Sequence, residues 1–239
     1  VVGWETGIAG KNGGPAETRV QANPLRPPFA RTGTPRLGGG LNIRAKVHWQ
    51  FDTDPGFHAR TAHILTVPQY WGHRLTGVIA SDVTSIGCHT DLWNPHEGRF
   101  SDLIERLEIA DKIAPVRKSN DVLGSILPEI AAATGLAMTT PVICGIHDSN
   151  ASLYPHILSQ KPPFSVVSSG TWTVVMSVGG LTVDPDPLRD ALVNVNALGE
   201  AVPSARFMGG REFELIQQGY PVRITPADVA QVLAQAVLL

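Results

Sequence analysis

Pro141-Val-Ile-Cys-Gly-Ile-His-Asp148 carries the strongest structural signal in the sequence. Its first four residues form a short apolar run typical of a buried strand, and Gly145 allows the chain to turn where that run ends. Asp148 and the small residues after it suit the beginning of a helix. A strand that ends in a polar turn and leads into a helix is typical of α/β proteins, which commonly bind ligands at the carboxyl ends of their strands.

The same pattern recurs farther along the chain. Residues 164–169 form another apolar run and predict a second buried strand, and the β-branched residues of 171–178 predict a third. The turn between them, Ser168-Ser-Gly-Thr-Trp172, offers backbone N–H groups and hydroxyls, and Gly170 allows close approach of an anion. One interpretation of this turn is phosphate binding, and the other is a hairpin turn that binds nothing.

The carboxylate of Asp148 also has two interpretations. At the tip of a strand it could accept the proton of a substrate hydroxyl, as a general base does in phosphoryl transfer to an alcohol. It could instead cap the helix that follows. Its neighbour His147 either orients a ligand or Asp148 itself, or is a packed, hydrogen-bonded histidine. The residues alone leave both pairs of alternatives open.

The rest of the chain predicts mostly helices and loops. Helices are predicted over 43–51, within 59–75 with Pro68 in a first turn, from Ser101 as N-cap to Leu107, over 123–134 with Gly135 as C-cap, and over 226–237 with Thr225 as N-cap. Residues 1–40 are rich in Gly and Pro and predict loops. The polar, proline-containing residues 159–163 predict a domain boundary, which divides the chain into residues 1–160 and 161–239.

Composition excludes several classes of protein. The 239 residues carry a formal net charge of -2 without a basic block, so nucleic acid is not an expected partner. Two cysteines are too few for a disulfide scaffold and lack paired metal spacing, which predicts a reducing, cytoplasmic location and no metal site. No run approaches the ~18 apolar residues of a membrane helix. The chain begins with Val1 and stops within an apolar helical pattern, so we expect both ends to be cut.

Several further motifs occur in order along the chain. They are Lys46-Val-His-Trp49, Leu65-Thr-Val-Pro-Gln-Tyr-Trp-Gly-His-Arg-Leu-Thr-Gly77, Asp82-Val-Thr-Ser85 and Thr134-Gly-Leu136, followed by the two strand-end motifs quoted above. Taken together over residues 32–215, this series resembles the FGGY family of carbohydrate kinases, and the pair of strand-end motifs is most similar to kinases of 6-deoxy-ketohexoses. Several ordered landmarks that agree are more specific than any one of them.

The resemblance implies a two-domain α/β protein of the actin-like ATPase (ribonuclease H-like) superfamily, present here as a partial chain. It implies ATP-dependent phosphorylation of a ketose, such as L-fuculose or L-rhamnulose, with Mg²⁺ as the accompanying ion and Asp148 as the general base. By the same resemblance, Asn42, His147, Asp148 and Ser149 contact the sugar, and Ser169, Gly170 and Thr171 contact the ATP phosphates. We expect a cytoplasmic enzyme and name a homodimer as its candidate assembly.

The chain also departs from the family pattern. No Asp-x-Gly-Thr phosphate loop occurs in residues 1–14, and the adenine-binding glycine motif is expected beyond Leu239, so we expect these residues alone to have little kinase activity. The first alternative is a truncated or degenerate relative that binds sugar without catalysis. The second is a hydrolase using Ser168 or Ser169 with His147, which requires a Gly-x-Ser-x-Gly elbow that the sequence lacks. Cys88-His89 with Asp91 suggests a nucleophile or metal site, but adjacent side chains diverge on an extended segment, and a structural role is favoured.

Overall fold

Helices and short strands alternate along the first two thirds of the chain, and a group of longer strands follows. The computed structural model describes residues 25–37, 42–180, 184–219 and 225–235, without the side chains of 232–235. The loops predicted over residues 1–24 and 38–40, and the last two residues of the helix predicted over 226–237, lie outside the described residues.

The secondary structure follows the chain in this order. The helices are α1 (Phe29–Thr32), α2 (Ile43–Thr53), α3 (Phe57–Arg60), α4 (Val67–Thr76), α5 (Val83–Ile86), α6 (Leu103–Arg106), α7 (Pro128–Thr134), α8 (Asp148–Ser159), α9 (Gly209–Gly219) and α10 (Pro226–Gln235). The strands are β1 (Ser81–Asp82), β2 (Trp93–Asn94), β3 (Arg99–Phe100), β4 (Val116–Arg117), β5 (Val122–Ser125), β6 (Pro141–Ile143), β7 (Phe164–Ser169), β8 (Thr173–Val178), β9 (Ala191–Val195) and β10 (Ala201–Phe207). This mixture confirms an α/β chain.

Most local signals at the helix ends are confirmed by the structure. Pro68 lies in the first turn of α4, where its missing N–H is not needed. Gly135 ends α7 in the left-handed conformation with φ of +74°. Thr225 accepts the backbone N–H of Asp228 at 3.3 Å, as expected of the N-cap of α10. The prediction of Ser101 as N-cap is wrong by one residue: Asp102 is the N-cap of α6, and the Ser101 hydroxyl accepts the backbone N–H of Leu103 at 3.4 Å.

The helix predicted over residues 123–134 is wrong in its first half. Residues 122–125 form β5, and the helix begins only at Pro128. Proline disfavours helical geometry in the residue before it, and Leu127 accordingly has extended dihedral angles of -63° and 148°. The segment before the proline pairs instead with β6 in an antiparallel two-stranded sheet.

The strands predicted at 141–144 and 164–169 are present, but the prediction that they are buried is wrong. Ile143 of β6 is 47% exposed and Val167 of β7 is 62% exposed. The physical reason is position: β6 belongs to a two-stranded sheet, and β7 is an edge strand of its own sheet. Residues of alternating burial along β7 show that only one of its faces is covered.

Four strands form the main sheet of the second half of the chain. Their order is β7-β8-β10-β9, and every neighbouring pair is antiparallel. In the first half, β1 and β4 form a short parallel pair in which Ser81 lies opposite Val116. None of the helices in the described part of the chain combines the length and apolarity needed to cross a membrane.

Two hydrophobic clusters position the candidate site. The first is built mainly from the first half and includes Val195 of β9; its buried members are Val83, Ile86, Leu92, Trp93, Leu103, Ile104, Leu107, Ile109, Ile113 and Val195. The second joins Leu153 of α8 to Val174, Met176 and Val202 of the main sheet. Apolar contacts therefore seat α8 on one face of the sheet. The domain division at residue 160 stays a prediction.

Candidate active site

The turn after β6 depends on Gly145. The backbone N–H of Cys144 donates to the carbonyl of Asp121 at 2.8 Å, and that of Gly145 donates to the carbonyl of Ser119 at 3.2 Å. Gly145 has φ of +94°, and a Cβ at this position would lie 3.4 Å from the Cβ of Pro68. Because residues with a side chain are strained at this φ, glycine allows the chain to leave the strand and enter α8.

A buried carboxylate fixes the backbone at the start of α8. Asp82 accepts hydrogen bonds from the backbone N–H of Ser85 at 2.9 Å and from the hydroxyl of Ser119 at 2.6 Å. Thr84 donates its hydroxyl to Asp82 and accepts the backbone N–H of His147 at 2.9 Å. Through Thr84, the fully buried Asp82 therefore positions the residue that precedes the helix.

Asp148 is the first residue of α8, and its side chain is 93% exposed. Its Oδ1 accepts the backbone N–H of Ser149 at 2.6 Å and the Ser149 hydroxyl at 3.4 Å, and it lies 3.2 Å from Nε2 of His147. Within the part of the chain that the structure describes, Oδ2 makes no hydrogen bond. One oxygen is thus held at the helix start, and the other is available to accept a proton.

His147 interacts electrostatically with the buried thiol of Cys88. Burial opposes ionisation of this thiol, but the positive charges of His147 and His89 outweigh it and lower the pKa of Cys88 to about 5. The charge of Cys88 in turn raises the pKa of His147 to about 9 against the opposing effect of burial, and Asp148 and Asp82 add to the rise. The raised pKa favours the charged form of His147, whose Nε2 lies 3.2 Å from Oδ1 of Asp148.

The turn between β7 and β8 lies beside the same helix. Residues 169–171 are exposed, and the backbone N–H of Gly170 donates to the carbonyl of Trp172 at 2.9 Å. The Ser168 hydroxyl donates to the Ser152 hydroxyl of α8 at 3.2 Å. Because residue 152 follows residue 148 by one helical turn, the two strand-end motifs lie along one side of α8.

The beginning of α9 packs closely on this turn. A Cβ at Gly210 would lie 2.1 Å from the carbonyl oxygen of Gly170 and 3.0 Å from Cα of Thr171. A Cβ at Gly209 would lie 2.6 Å from the hydroxyl oxygen of Thr173. Only glycine allows a helix to approach another backbone this closely, so Gly209 and Gly210 are required for α9 to pack against the turn.

Arg206 of β10 lies on the sheet next to the turn. It is 7% exposed, and its guanidinium carbon is 5.0 Å from the centre of the Trp172 ring, within cation–π distance. Burial lowers the pKa of Arg206, whereas the charges of Cys88 and Asp190 raise it. Arg206 thus supports Trp172, the last residue of the turn motif.

The structure places Asn42 in a different environment from the other predicted sugar ligands. Asn42 is buried, and its side-chain amide donates to the carbonyls of Pro35 and His89, each at 3.2 Å. Its Oδ1 accepts the backbone N–H of Leu37 at 3.1 Å. The side chain therefore holds two loop segments together, and its contact with a sugar stays a prediction.

Three residues near the site were not predicted from the sequence, namely Cys88, Arg206 and Gly210. Cys88 was assigned a structural role because its side chain was expected to diverge from that of His89, and its electrostatic interaction with His147 is not local in sequence. The available signal for Gly210 was a Gly-Gly pair ahead of an amphipathic helix. Among residues with described positions, no three His, Cys, Asp or Glu side chains could hold a metal ion.

Two parts of the chain match the two domains of one protein family. Residues 30–154 match the FGGY family of carbohydrate kinases, N-terminal domain, and residues 161–239 match carbohydrate kinase FGGY, C-terminal domain. The chain belongs to the FGGY family of carbohydrate kinases. The resemblance that the ordered sequence motifs indicated is thereby confirmed.

Curated FGGY relatives include kinases of several ketoses. The probable L-xylulose kinase of Pasteurella multocida (strain Pm70) is 29% identical over 136 residues, which cover 55% of this chain and 28% of that protein. The L-fuculokinase of Salmonella typhi is 28% identical over 142 residues, which cover 59% of this chain and 29% of that protein. The aligned region thus spans less than a third of each of these relatives.

Solved structures confirm the fold. A carbohydrate kinase from Novosphingobium aromaticivorans is 42% identical with a TM-score of 0.75, over 83% of this chain and 45% of that one. A xylulose kinase from Lactobacillus acidophilus has a TM-score of 0.72 at 18% identity, over 93% of this chain and 46% of that one. The FGGY chain therefore has part of the actin-like ATPase fold of these sugar kinases.

Proposed function

We propose that the protein containing this chain transfers the γ-phosphoryl group of ATP to a hydroxyl of a ketose, with Asp148 as the general base. The observation that carries this proposal is that the two carboxylate oxygens of Asp148 have different environments. Oδ1 is fixed by Ser149 and His147, while Oδ2 of the exposed side chain is available for a substrate hydroxyl. A held but accessible carboxylate is what proton transfer from an alcohol requires.

The residues next to Asp148 are proposed to contact the sugar. His147 and Ser149 lie on either side of the base in sequence and donate toward its Oδ1. Asn42 stays a predicted sugar ligand. Its side chain also hydrogen-bonds the backbone of Pro35 and Leu37, which gives it a structural role.

The turn of Ser169, Gly170 and Thr171 is proposed to bind the phosphates of ATP. It fits this role because it is exposed, carries two hydroxyls and is free of bulky side chains where α9 approaches. ATP supplies the phosphoryl group and the leaving oxygen. Phosphate oxygens bound at this turn would lie beside α8, because Ser168 donates to Ser152, which follows Asp148 by one helical turn.

Mg²⁺ is expected to accompany ATP; among the described residues, no three His, Cys, Asp or Glu side chains are grouped to hold a metal ion. The steps that this chain's residues can perform are binding of the phosphates, orientation of the sugar hydroxyl and acceptance of its proton.

The proposed substrate class is a ketose, and within it a 6-deoxy-ketohexose such as L-fuculose or L-rhamnulose. Support comes from the His-Asp and Ser-Ser-Gly-Thr-Trp motifs and from the names of relatives, among them L-fuculokinases and a rhamnulokinase. Kinases of L-xylulose also occur among the relatives, so 6-deoxy-ketohexoses and L-xylulose must be compared directly as substrates.

A substrate panel tests this proposal on the complete protein. ADP release should be measured with L-fuculose, L-rhamnulose, L-xylulose, D-xylulose, gluconate and glycerol at fixed ATP and Mg²⁺. One ketose is expected to give a kcat/KM at least about tenfold above that of gluconate and glycerol, because contacts built for one sugar leave polar groups unpaired with another. Preference for glycerol or gluconate would contradict the proposed substrate class.

Gly210→Ala is expected to raise the KM for ATP by about tenfold while changing the KM for the sugar much less. The added methyl would overlap the carbonyl of Gly170, and overpacking of this kind costs about 1–3 kcal/mol. Gly219→Ala is the matched control, since a Cβ at the other end of α9 meets no atom within 4 Å. Equal KM values for ATP in both variants would argue against phosphate binding by this turn.

The remaining expectations, a homodimer and a cytoplasmic location, stay predictions. The oligomeric state can be checked by light scattering of the complete protein.

A further inference from the structure

The carboxylate of Asp82 lies in the interior and is surrounded by hydrogen-bond donors. Its Oδ2 accepts the hydroxyl of Thr84, and it also accepts the backbone N–H and the hydroxyl of Ser85, each at 2.9 Å. Its Oδ1 accepts the hydroxyl of Ser119 at 2.6 Å. A carboxyl group is costly to bury unless hydrogen bonds replace its water, so these donors fix both oxygens of Asp82 in place.

Two of these donors connect the carboxylate to the turn between β6 and α8. The hydroxyl oxygen of Thr84, which donates to Asp82, also accepts the backbone N–H of His147 at 2.9 Å. The hydroxyl of Ser119 donates to Asp82, and its backbone carbonyl accepts the N–H of Gly145 at 3.2 Å. Gly145 and His147 are separated by one residue. A single buried carboxylate therefore restrains the turn at both of its ends.

The rest of α8 is held by a different set of contacts. Leu153, five residues beyond Asp148, packs against the main sheet. Pro155 lies inside the helix and has no N–H to donate to the carbonyl of Ala151, so the first turn is bonded less completely to the remainder than in an uninterrupted helix. The position of the helix start therefore depends on the backbone hydrogen bonds that precede it.

We propose that Asp82 is a positioning residue for phosphoryl transfer, which places Asp148 by holding the turn before α8 at both ends. This inference rests on the proposed function, because it assigns a role relative to Asp148 as the base. Asp82 is fully buried, so it acts on the substrate only through the backbone of the turn. Misplacing a reacting group by about 1 Å lowers a rate by about 10²-fold, so loosening the turn should affect kcat more than binding.

Thr84→Val is the variant that separates positioning from folding. Valine has the shape of threonine, but it neither donates to Asp82 nor accepts the N–H of His147. Asp82→Ala is less informative, because it would remove every hydrogen bond of the buried carboxylate at once. Thr84→Ser is the conservative variant, since it keeps the hydroxyl that makes both contacts.

Thr90→Val is the matched control. Thr90 is as fully buried as Thr84, and its hydroxyl also makes two contacts. It donates to the carbonyl of Ile86 and accepts the backbone N–H of Leu92 at 3.0 Å, so it is not bonded to the turn before α8. Both valine variants remove a buried hydroxyl that joins two groups, and they should lower the free energy of unfolding to a similar extent.

The first measurement is amide hydrogen exchange at His147, on the complete protein labelled with ¹⁵N-histidine and without substrate. His147→Gln identifies the signal by its disappearance. Thr84→Val is expected to speed exchange of this N–H at least about tenfold, because the amide loses its acceptor, and Thr90→Val to change it less than about twofold. Equal exchange rates at His147 in the two valine variants would overturn the proposal.

The second measurement is kcat and KM with the best ketose of the substrate panel. Thr84→Val is expected to lower kcat about tenfold or more and to change the KM for ketose and ATP less than about threefold. Thr84→Ser should recover most of kcat, and Thr90→Val should retain it. Equal kcat in the two valine variants would overturn the positioning role, as would a loss in Thr84→Ser as large as that in Thr84→Val.

A double-mutant cycle tests whether the two connections meet at Asp82. Ser119→Ala removes the hydroxyl that donates to Asp82 and leaves the backbone carbonyl that accepts the N–H of Gly145. Its effect on kcat and that of Thr84→Val should not multiply, because both act through one carboxylate. A double variant whose fall in kcat equals the product of the single falls would overturn the shared role of Asp82. If the unsubstituted protein phosphorylates no ketose, the proposed function fails instead, and the exchange rates still decide whether the turn is held in this way.

Discussion

Asp148→Asn is expected to lower kcat by about a thousandfold or more, with little change in the affinity for the sugar. The amide has the shape of the carboxylate but cannot accept the proton of the attacking hydroxyl, and general bases contribute about 10²–10⁴ in rate. Ser149 and His147 can still hold one side of the substituted side chain. The loss should therefore fall on the chemical step and not on binding.

Steady-state ADP release and calorimetric sugar binding measure these two quantities separately. Glu129→Gln is the matched control, since Glu129 is also an exposed carboxylate in the first turn of a helix, α7, and has no role in the proposed site. Its kcat should remain near that of the unsubstituted protein. Near-normal ADP release by Asp148→Asn would remove Asp148 from the role of base.

Asp91→Ala is expected to lower the free energy of unfolding by about 3–5 kcal/mol. Asp91 is fully buried and lies 3.1 Å from Nε of Arg44 and 3.3 Å from Nε of Arg26. Arg44 is itself buried, and the charge of Asp91 partly offsets the lowering of its pKa by burial. Removing the carboxylate would leave buried cationic charge without its anion, which is the costly way to break an internal ion pair.

Urea unfolding followed by tryptophan fluorescence measures this effect. Asp102→Asn is the control, because Asp102 pairs with Arg31 and Arg106 at the surface, where such pairs contribute about 0–1 kcal/mol. A similar small change in both variants would show that the buried pairs do not stabilise the chain as argued. A large change only in Asp91→Ala would support the structural role predicted for the Cys88-His89-Asp91 segment.

Helix ends and turns could be predicted from the sequence because their causes are local. Pro68, Gly135 and Thr225 each satisfy a backbone requirement within a few residues of themselves. Gly145 and Asp148 likewise define a strand-turn-helix unit by adjacency alone. The family resemblance then predicted a function for this unit, which its local structure could not.

Strand partners and burial could not be predicted in the same way, because they depend on distant segments. Residues 122–125 have an apolar pattern compatible with a helix and become a strand through pairing with β6. Val167 lies in an apolar run but on the open face of an edge strand. An apolar run identifies a strand without identifying which of its faces is covered.

The residues of the candidate site also differ in how well the sequence predicted them. His147, Asp148 and Ser149 are consecutive, so one motif predicted all three. Cys88 and Arg206 lie in other elements and carry no motif that refers to residue 148. The electrostatic interaction of Cys88 with His147 joins segments that are distant in sequence.

Phosphoryl transfer to a sugar is tested most directly by following the phosphorus atom itself. The complete protein should be incubated with [γ-³²P]ATP, Mg²⁺ and each ketose of the panel, and the labelled products separated. We expect label in a sugar phosphate for at least one ketose, little label in inorganic phosphate, and loss of transfer in Asp148→Asn. Label confined to ATP and inorganic phosphate with every ketose would contradict it.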